Sequence, residues 1–229
     1  MKTSRLRWLV AEYDLSLSGF ASALNEIQYG NKRPIGFELI DVKKNMFLAR
    51  FIQRENKVEE IINPLGKIEK YESTRYIVFD FKVTRLTKGK ALIRVIDPPA
   101  SLKSFIMLIS DICDKKLSIE KVELDLVLFY RKIKTIDSVI RYDFIGLQAS
   151  GIQFGKTSIA KMELASSSNV FDDFLAKYKN KKYKLEKIKF KARVNSSDEL
   201  VELSSSGLAK CTKGIESVLE NYVLSCYEL

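Results

Sequence analysis

Histidine is missing from all 229 residues. That absence excludes a histidine-containing triad, an imidazole general base and any zinc site built on imidazole, and with them much hydrolytic chemistry. Cysteine is scarce: Cys113, Cys211 and Cys226 are odd in number, far apart, and contain no C-x-x-C pair. Such usage predicts reduced, partly buried thiols in a cytosolic protein and no disulfide framework. Only four prolines and ten glycines occur, against 46% hydrophobic and 30% charged residues, so disorder and fibrous repeats are disfavoured. The longest apolar runs, such as Phe105 to Ile109, reach five residues, where a bilayer-spanning helix needs roughly 20. Met1 to Val10 carries Lys2, Arg5 and Arg7 but has neither the apolar core nor the small-residue cleavage site of a secretory signal. The expectation is a cytoplasmic chain with no membrane segment.

What is present reads as α+β: mostly antiparallel sheet with four to five helices packed on it. Alternating patterns predict strands at Arg5 to Asp14, Ile35 to Val42, Met46 to Gln53, Lys57 to Ile62 and Lys67 to Glu72, with Asn63, Pro64 and Gly66 turning the chain between the last two. Tyr76 to Leu86, a Lys88-Gly89 turn and Ala91 to Ile96 make a hairpin. Helices are predicted at Ser18 to Tyr29, capped by Ser16 or Ser18, and at Ser101 to Asp114 behind Pro98 and Pro99. Val122, Leu124, Leu126 and Leu128 alternate with Glu123 and Asp125 and predict a strand at Ile119 to Tyr130. Beyond it the pattern suggests a helical turn at Ile136 to Arg141, strands at Phe144 to Ala149 and Ser158 to Ala165, and a helix at Asn169 to Tyr178. A strand at Lys187 to Val194, a helix at Gly207 to Asn221 and a last strand at Tyr222 to Tyr227 complete the reading. The length suits a single domain, residues 1–229, with two possible lobes (1–115 and 116–229) sharing a sheet.

Charge carries the most information. The net charge is +10, yet residues 177–193 hold nine basic residues against the single acid Glu186, and residues 82–94 hold five basic residues and no acid. The remainder, with 25 basic against 28 acidic residues, is slightly acidic. Lys187, Lys189, Lys191 and Arg193 share one face of their strand, while Ile188, Phe190, Ala192 and Val194 share the other. The cationic side suits a polyanion, and Lys181, Lys182 and Lys184 lead into it; Arg85, Lys88 and Lys90 provide a second basic patch on the hairpin. Lysines on an exposed strand also solvate it and discourage edge pairing. A row of like charges at ~7 Å spacing needs either acids from a neighbouring strand or an anionic ligand. Tyr178 and Tyr183 lie beside the row, where tyrosines can stack on unpaired bases or simply pack.

Two motifs point toward enzymes. Ser150 to Thr157 (SGIQFGKT) resembles a phosphate-binding P-loop in which Ser150 replaces the first glycine; such a loop needs a buried strand before it and a helix after it. Asp80-x-Lys82 and Asp41-x-Lys43 have the short spacing of metal-dependent nucleases, with Glu38 or Asp41 as a partner carboxylate for Asp80. About 3.5 such acid-x-lysine matches arise by chance in this composition. No catalytic residue, metal ligand or cofactor is assigned. The sequence is therefore read as a nucleic-acid-binding protein without its own catalysis. The alternative is an interaction subunit, as in a bacterial defence or mobile-element complex, whose basic face docks an acidic protein. A nuclease or nucleotide-binding protein is the third reading.

Overall fold

The computed structural model describes residues 3–153, 157–178 and 181–227. They fall into two compact units, residues 10–119 and residues 1–9 with 120–229. Strand accounts for 53% and helix for 23%, with eleven strands and five α-helices among the described residues. This corrects the α+β expectation: the helices are short, and antiparallel sheet dominates.

In the unit of residues 10–119, α1 (Leu17–Glu26) precedes β2 (Ile35–Lys43), β3 (Met46–Ile62), β4 (Ile68–Thr87) and β5 (Lys90–Ile96), and α2 (Lys103–Ile112) follows. The strands lie in the order β2-β3-β4-β5, each paired antiparallel to the next. The expected hairpin around Lys88-Gly89 is β4–β5. Residues 57–62 and 67–72 are not separate short strands but the far halves of β3 and β4. Ser16 caps α1 by accepting the Gly19 N–H at 3.0 Å, and the helix stops at Ile27, short of Gly30. Gly36 lies against the segment that follows the helix, where a Cβ would sit 2.5 Å from the Tyr29 nitrogen. The core is aromatic: Phe105 of α2 meets Phe37, Phe51, Phe79 and Phe81 with ring centroids 4.9 to 6.4 Å apart.

The other unit has strand order β1-β11-β10-β9-β7-β8. Its elements are β1 (Thr3–Glu12, through residue 9), β6 (Ser118–Lys121, from residue 120), α3 (Leu126–Ile133), β7 (Val139–Gln153), β8 (Ile159–Ala165), α4 (Val170–Tyr178), β9 (Lys184–Val194), β10 (Ser197–Ser204), β11 (Leu208–Thr212) and α5 (Glu216–Ser225). The ladders β1–β11, β11–β10, β10–β9, β9–β7 and β7–β8 are all antiparallel. Each unit ends in a helix that follows its last strand.

Four local expectations fail here, in whole or in part. Of the strand expected over Ile119 to Tyr130, only residues 119–121 lie in a strand, β6. Asp125 accepts the N–H groups of Val127 and Leu128 and starts α3, and Leu126, Phe129, Tyr130 and Ile133 form its buried i, i+3, i+4, i+7 face. Residues 136–141 run into β7 and make no helix of their own. Gly207 to Asn221 divides into β11 and α5, whose helix continues through Tyr222 to Ser225 where a strand was expected, and β10 was overlooked altogether. The helices cover one face of this sheet. Phe129 contacts Phe190 of β9 and Tyr222 of α5, while Phe171 of α4 stacks on Tyr130 at 4.1 Å and meets Phe144 of β7 at 5.3 Å.

Candidate nucleic-acid interface

The cations of β9 stand on the opposite face of that sheet. Along β9, Leu185, Ile188, Phe190, Ala192 and Val194 are buried, and Lys184, Lys187, Lys189, Lys191 and Arg193 stand on the open side. The row therefore faces outward as its alternation predicted, and strand register shows what surrounds it. Lys187 lies between Ser204 of β10 and Gln148 of β7; Lys189 lies between Glu202 and Gly146; Lys191 lies between Leu200 and Asp143. Farther across, Arg5 pairs with Lys210, which pairs with Glu202, and Arg7 pairs with Leu208.

Acids from neighbouring strands answer part of this charge. Arg193 holds Asp198 through two bonds of 2.7 and 2.9 Å. Lys189 reaches Glu202 at 3.6 Å, Arg141 reaches Asp143 at 3.3 Å and Lys161 reaches Glu186 at 3.4 Å. The guanidinium of Arg193 holds the Asp198 carboxyl below the usual carboxylate range. Glu186 is likewise held low, first by the Ser150 hydroxyl, which donates to it at 2.6 Å, and then by Lys161 and Lys184. Arg7, Lys187, Lys191 and Lys210 make no ion pair among the described residues. In all, ten basic residues share the open face with five acids: Arg5, Arg7, Arg141, Lys161, Lys184, Lys187, Lys189, Lys191, Arg193 and Lys210 against Asp143, Glu163, Glu186, Asp198 and Glu202. Arg5, Arg7, Arg141, Lys161 and Lys210 escaped the sequence reading. Arg5 and Arg7 alternate visibly with Leu6 and Trp8; Lys210 was hidden because its strand read as helix.

The other expected groups are not brought to this face. Tyr178 is buried and packs on Phe174 at 5.0 Å, and Tyr183 meets the same ring edge-on at 4.9 Å, so both are packing residues and neither offers a base-stacking platform. Lys181 and Lys182 are exposed just before β9, with Lys181 5.6 Å over the Tyr178 ring. Arg85, Lys88 and Lys90 belong to the other unit: Lys90 pairs with Glu12 at 2.7 Å, and Arg85 and Lys88 line a cleft of about 660 Å³ with Tyr13 and Ser16.

Of the P-loop-like segment, Phe154, Gly155 and Lys156 lie outside the described residues. The flanking chain is the end of β7 and the antiparallel strand β8, where a P-loop requires a helix. Asp80 does share a face with Glu38, but Arg50 stands between them, 2.7 Å from Asp80 and 3.5 Å from Glu38, and Asp41 pairs with Lys43 at 3.3 Å. These carboxylates are committed to cations. Among the described residues no three His, Cys, Asp or Glu side chains gather as a metal site would require, and no helix is long and apolar enough to cross a membrane.

Neither a protein-family model nor a curated protein matches this chain. Among solved structures it is similar to the crystal structure of the di-domain ARO/CYC StfQ from the steffimycin biosynthetic pathway, at 9% identity, over 96% of this chain and 90% of that one, with a TM-score of 0.23. At that score the likeness carries no argument about fold or activity.

Proposed function

We propose that the open sheet face of the unit of residues 1–9 and 120–229 binds nucleic acid through the phosphate backbone, without sequence readout and without a catalytic step. The observation that supports this most is the set of unpaired cations on that face. Lys187 and Lys191 are four residues apart on β9, about 13 Å at 3.3 Å per residue, and Arg7 lies three strands from β9, about 14 Å at 4.8 Å per strand. Four cations held over such an area by a rigid sheet repel one another, and an extended polyanion relieves that repulsion while its counterions are released. No aromatic side chain lies on the face among the described residues, so bases are not stacked and contacts go to phosphate. The hairpin of the other unit contributes less, since Lys90 is engaged by Glu12.

The test is fluorescence anisotropy with nuclease-treated protein and labelled single- and double-stranded DNA and RNA, beside a Lys187→Glu/Lys191→Glu/Lys210→Glu variant whose circular dichroism matches the wild type. Binding at low salt that disappears in the variant supports the reading. No binding by the wild type at low salt overturns it, and an acidic protein surface becomes the occupant to seek.

A further inference from the structure

β3 and β4 outrun their neighbours. β2 pairs with β3 only as far as Gln53, and β5 pairs with β4 only from Phe81, yet β3 and β4 stay in unbroken register from Met46 opposite Thr84 to Ile62 opposite Ile68. Residues 54–62 and 68–76 thus form a two-stranded ribbon of about 30 Å, its far part exposed on both faces. A lone two-stranded ribbon is marginal in water, and a long open edge is a template for another strand. This one carries no bulge and no proline within its strands. Its tip also displays Ile61, Ile62, Leu65 and Ile68, which are 51 to 83% exposed.

The ribbon is unsuited to a polyanion: residues 54–76 contain five basic and five acidic residues. Several of these cancel locally, with Lys57 against Glu59 at 2.5 Å and Lys70 against Glu60 at 2.8 Å. Its edge, however, is complementary to itself. Asn63 donates to the Lys67 carbonyl and Arg85 to that of Asn45, each at 2.9 Å, so odd-numbered residues bond across the ribbon. By the alternation of an antiparallel ladder, Ile68, Lys70, Glu72 and Thr74 turn their N–H and C=O groups outward along the edge of β4.

We propose that two copies of this chain associate by antiparallel addition of this edge to itself, with the two-fold axis at Tyr71. Lys70 then faces Glu72 twice, Ile68 faces Thr74 twice, and the two Tyr71 rings meet in the closely spaced, non-hydrogen-bonded position. About eight main-chain hydrogen bonds close the seam, two at each of the four outward-facing pairs. Axes at Glu69, Lys70 or Glu72 would place like charges opposite one another inside the seam, whereas with the axis at Tyr71 the like-charged Lys67 and Arg75 face each other just beyond its four bonded pairs. The result is a four-stranded ribbon with an isologous interface.

Sedimentation equilibrium of the full, nuclease-treated chain should give twice 26.3 kDa. Lys70→Glu should weaken the dimer roughly tenfold by making both cross-strand pairs repulsive, and adding Glu72→Lys should restore it. In a Cys226→Ser background, Tyr71→Cys should cross-link on mild oxidation, while Val58→Cys on the β3 edge should not. A monomer at every concentration, a dimer indifferent to Lys70→Glu, or cross-linking through position 58 in place of 71 would overturn the proposal.

Discussion

The number of phosphates neutralised on the open face can be read from salt dependence. Each cation that meets a phosphate releases a counterion, and log K falls against log salt with slope about −0.9 per contact on duplex DNA and about −0.7 on single strands. Among the described residues Arg7, Lys187, Lys191 and Lys210 have no ion pair to give up, whereas Arg193, Lys189, Arg141 and Lys161 must first leave an acid. Four contacts predict slopes of about −3.6 on duplex and about −2.8 on single strands. Lys187→Ala with Lys191→Ala halves the set and should bring the duplex slope to about −1.8. Arg193→Ala, which removes a cation already occupied by Asp198, should leave the slope near its wild-type value. The assay is anisotropy with one labelled duplex over a salt series, repeated for the three proteins. A slope near zero, or a slope that drops with Arg193→Ala and not with the lysine pair, would refute the assignment of the contacting cations.

Phe105 is fully buried among four other phenylalanine rings, and Phe105→Ala should cost about 3 to 5 kcal/mol in chemical denaturation. Asp125→Ala removes the cap of α3 and should cost about 1 kcal/mol; no effect would count against a helix starting there. Burial pushes the Cys113 thiol up to about 11 and the Tyr13 hydroxyl up to about 12 from ordinary values of 9.0 and 10.0. Both groups stay neutral in the folded chain longer than in the unfolded one. Their contribution is therefore complete below about pH 9 and is lost as pH rises through about 11 to 12. Urea midpoints measured from pH 8 upward should fall, and less steeply in a Cys113→Ala/Tyr13→Phe variant; a flat profile would contradict the burial.

Where hydrophobic period and secondary structure agreed, the sequence was legible. The β4–β5 hairpin, α1, α2, α4 and the two-faced pattern of β9 follow from local spacing and caps. Leu126, Phe129, Tyr130 and Ile133 also had helical spacing, but the alternation of Val122, Leu124, Leu126 and Leu128 overlaps it. The competition was settled by the Asp125 cap and by burial against Phe190 and Tyr222. Tyr222 to Ser225 has the composition of a strand and is helical, because tertiary packing outweighs a propensity worth only tenths of a kcal/mol per residue.

By itself, the sequence determined that no histidine chemistry operates, that the basic residues are concentrated, and that Lys187, Lys189, Lys191 and Arg193 share an outward face. Those properties belong to composition and to the period of a single strand. Which of the four make an ion pair was decided only by the tertiary structure, because strand register places Asp198 beside Arg193 and Glu202 beside Lys189, while Lys187 meets Ser204 and Gln148 and the Asp143 across from Lys191 pairs with Arg141. Register also brought Arg7 and Lys210 to the same face and turned Asp80 into an ion pair with Arg50. Cross-strand neighbours are remote in sequence, and their pairing depends on how every strand between them packs.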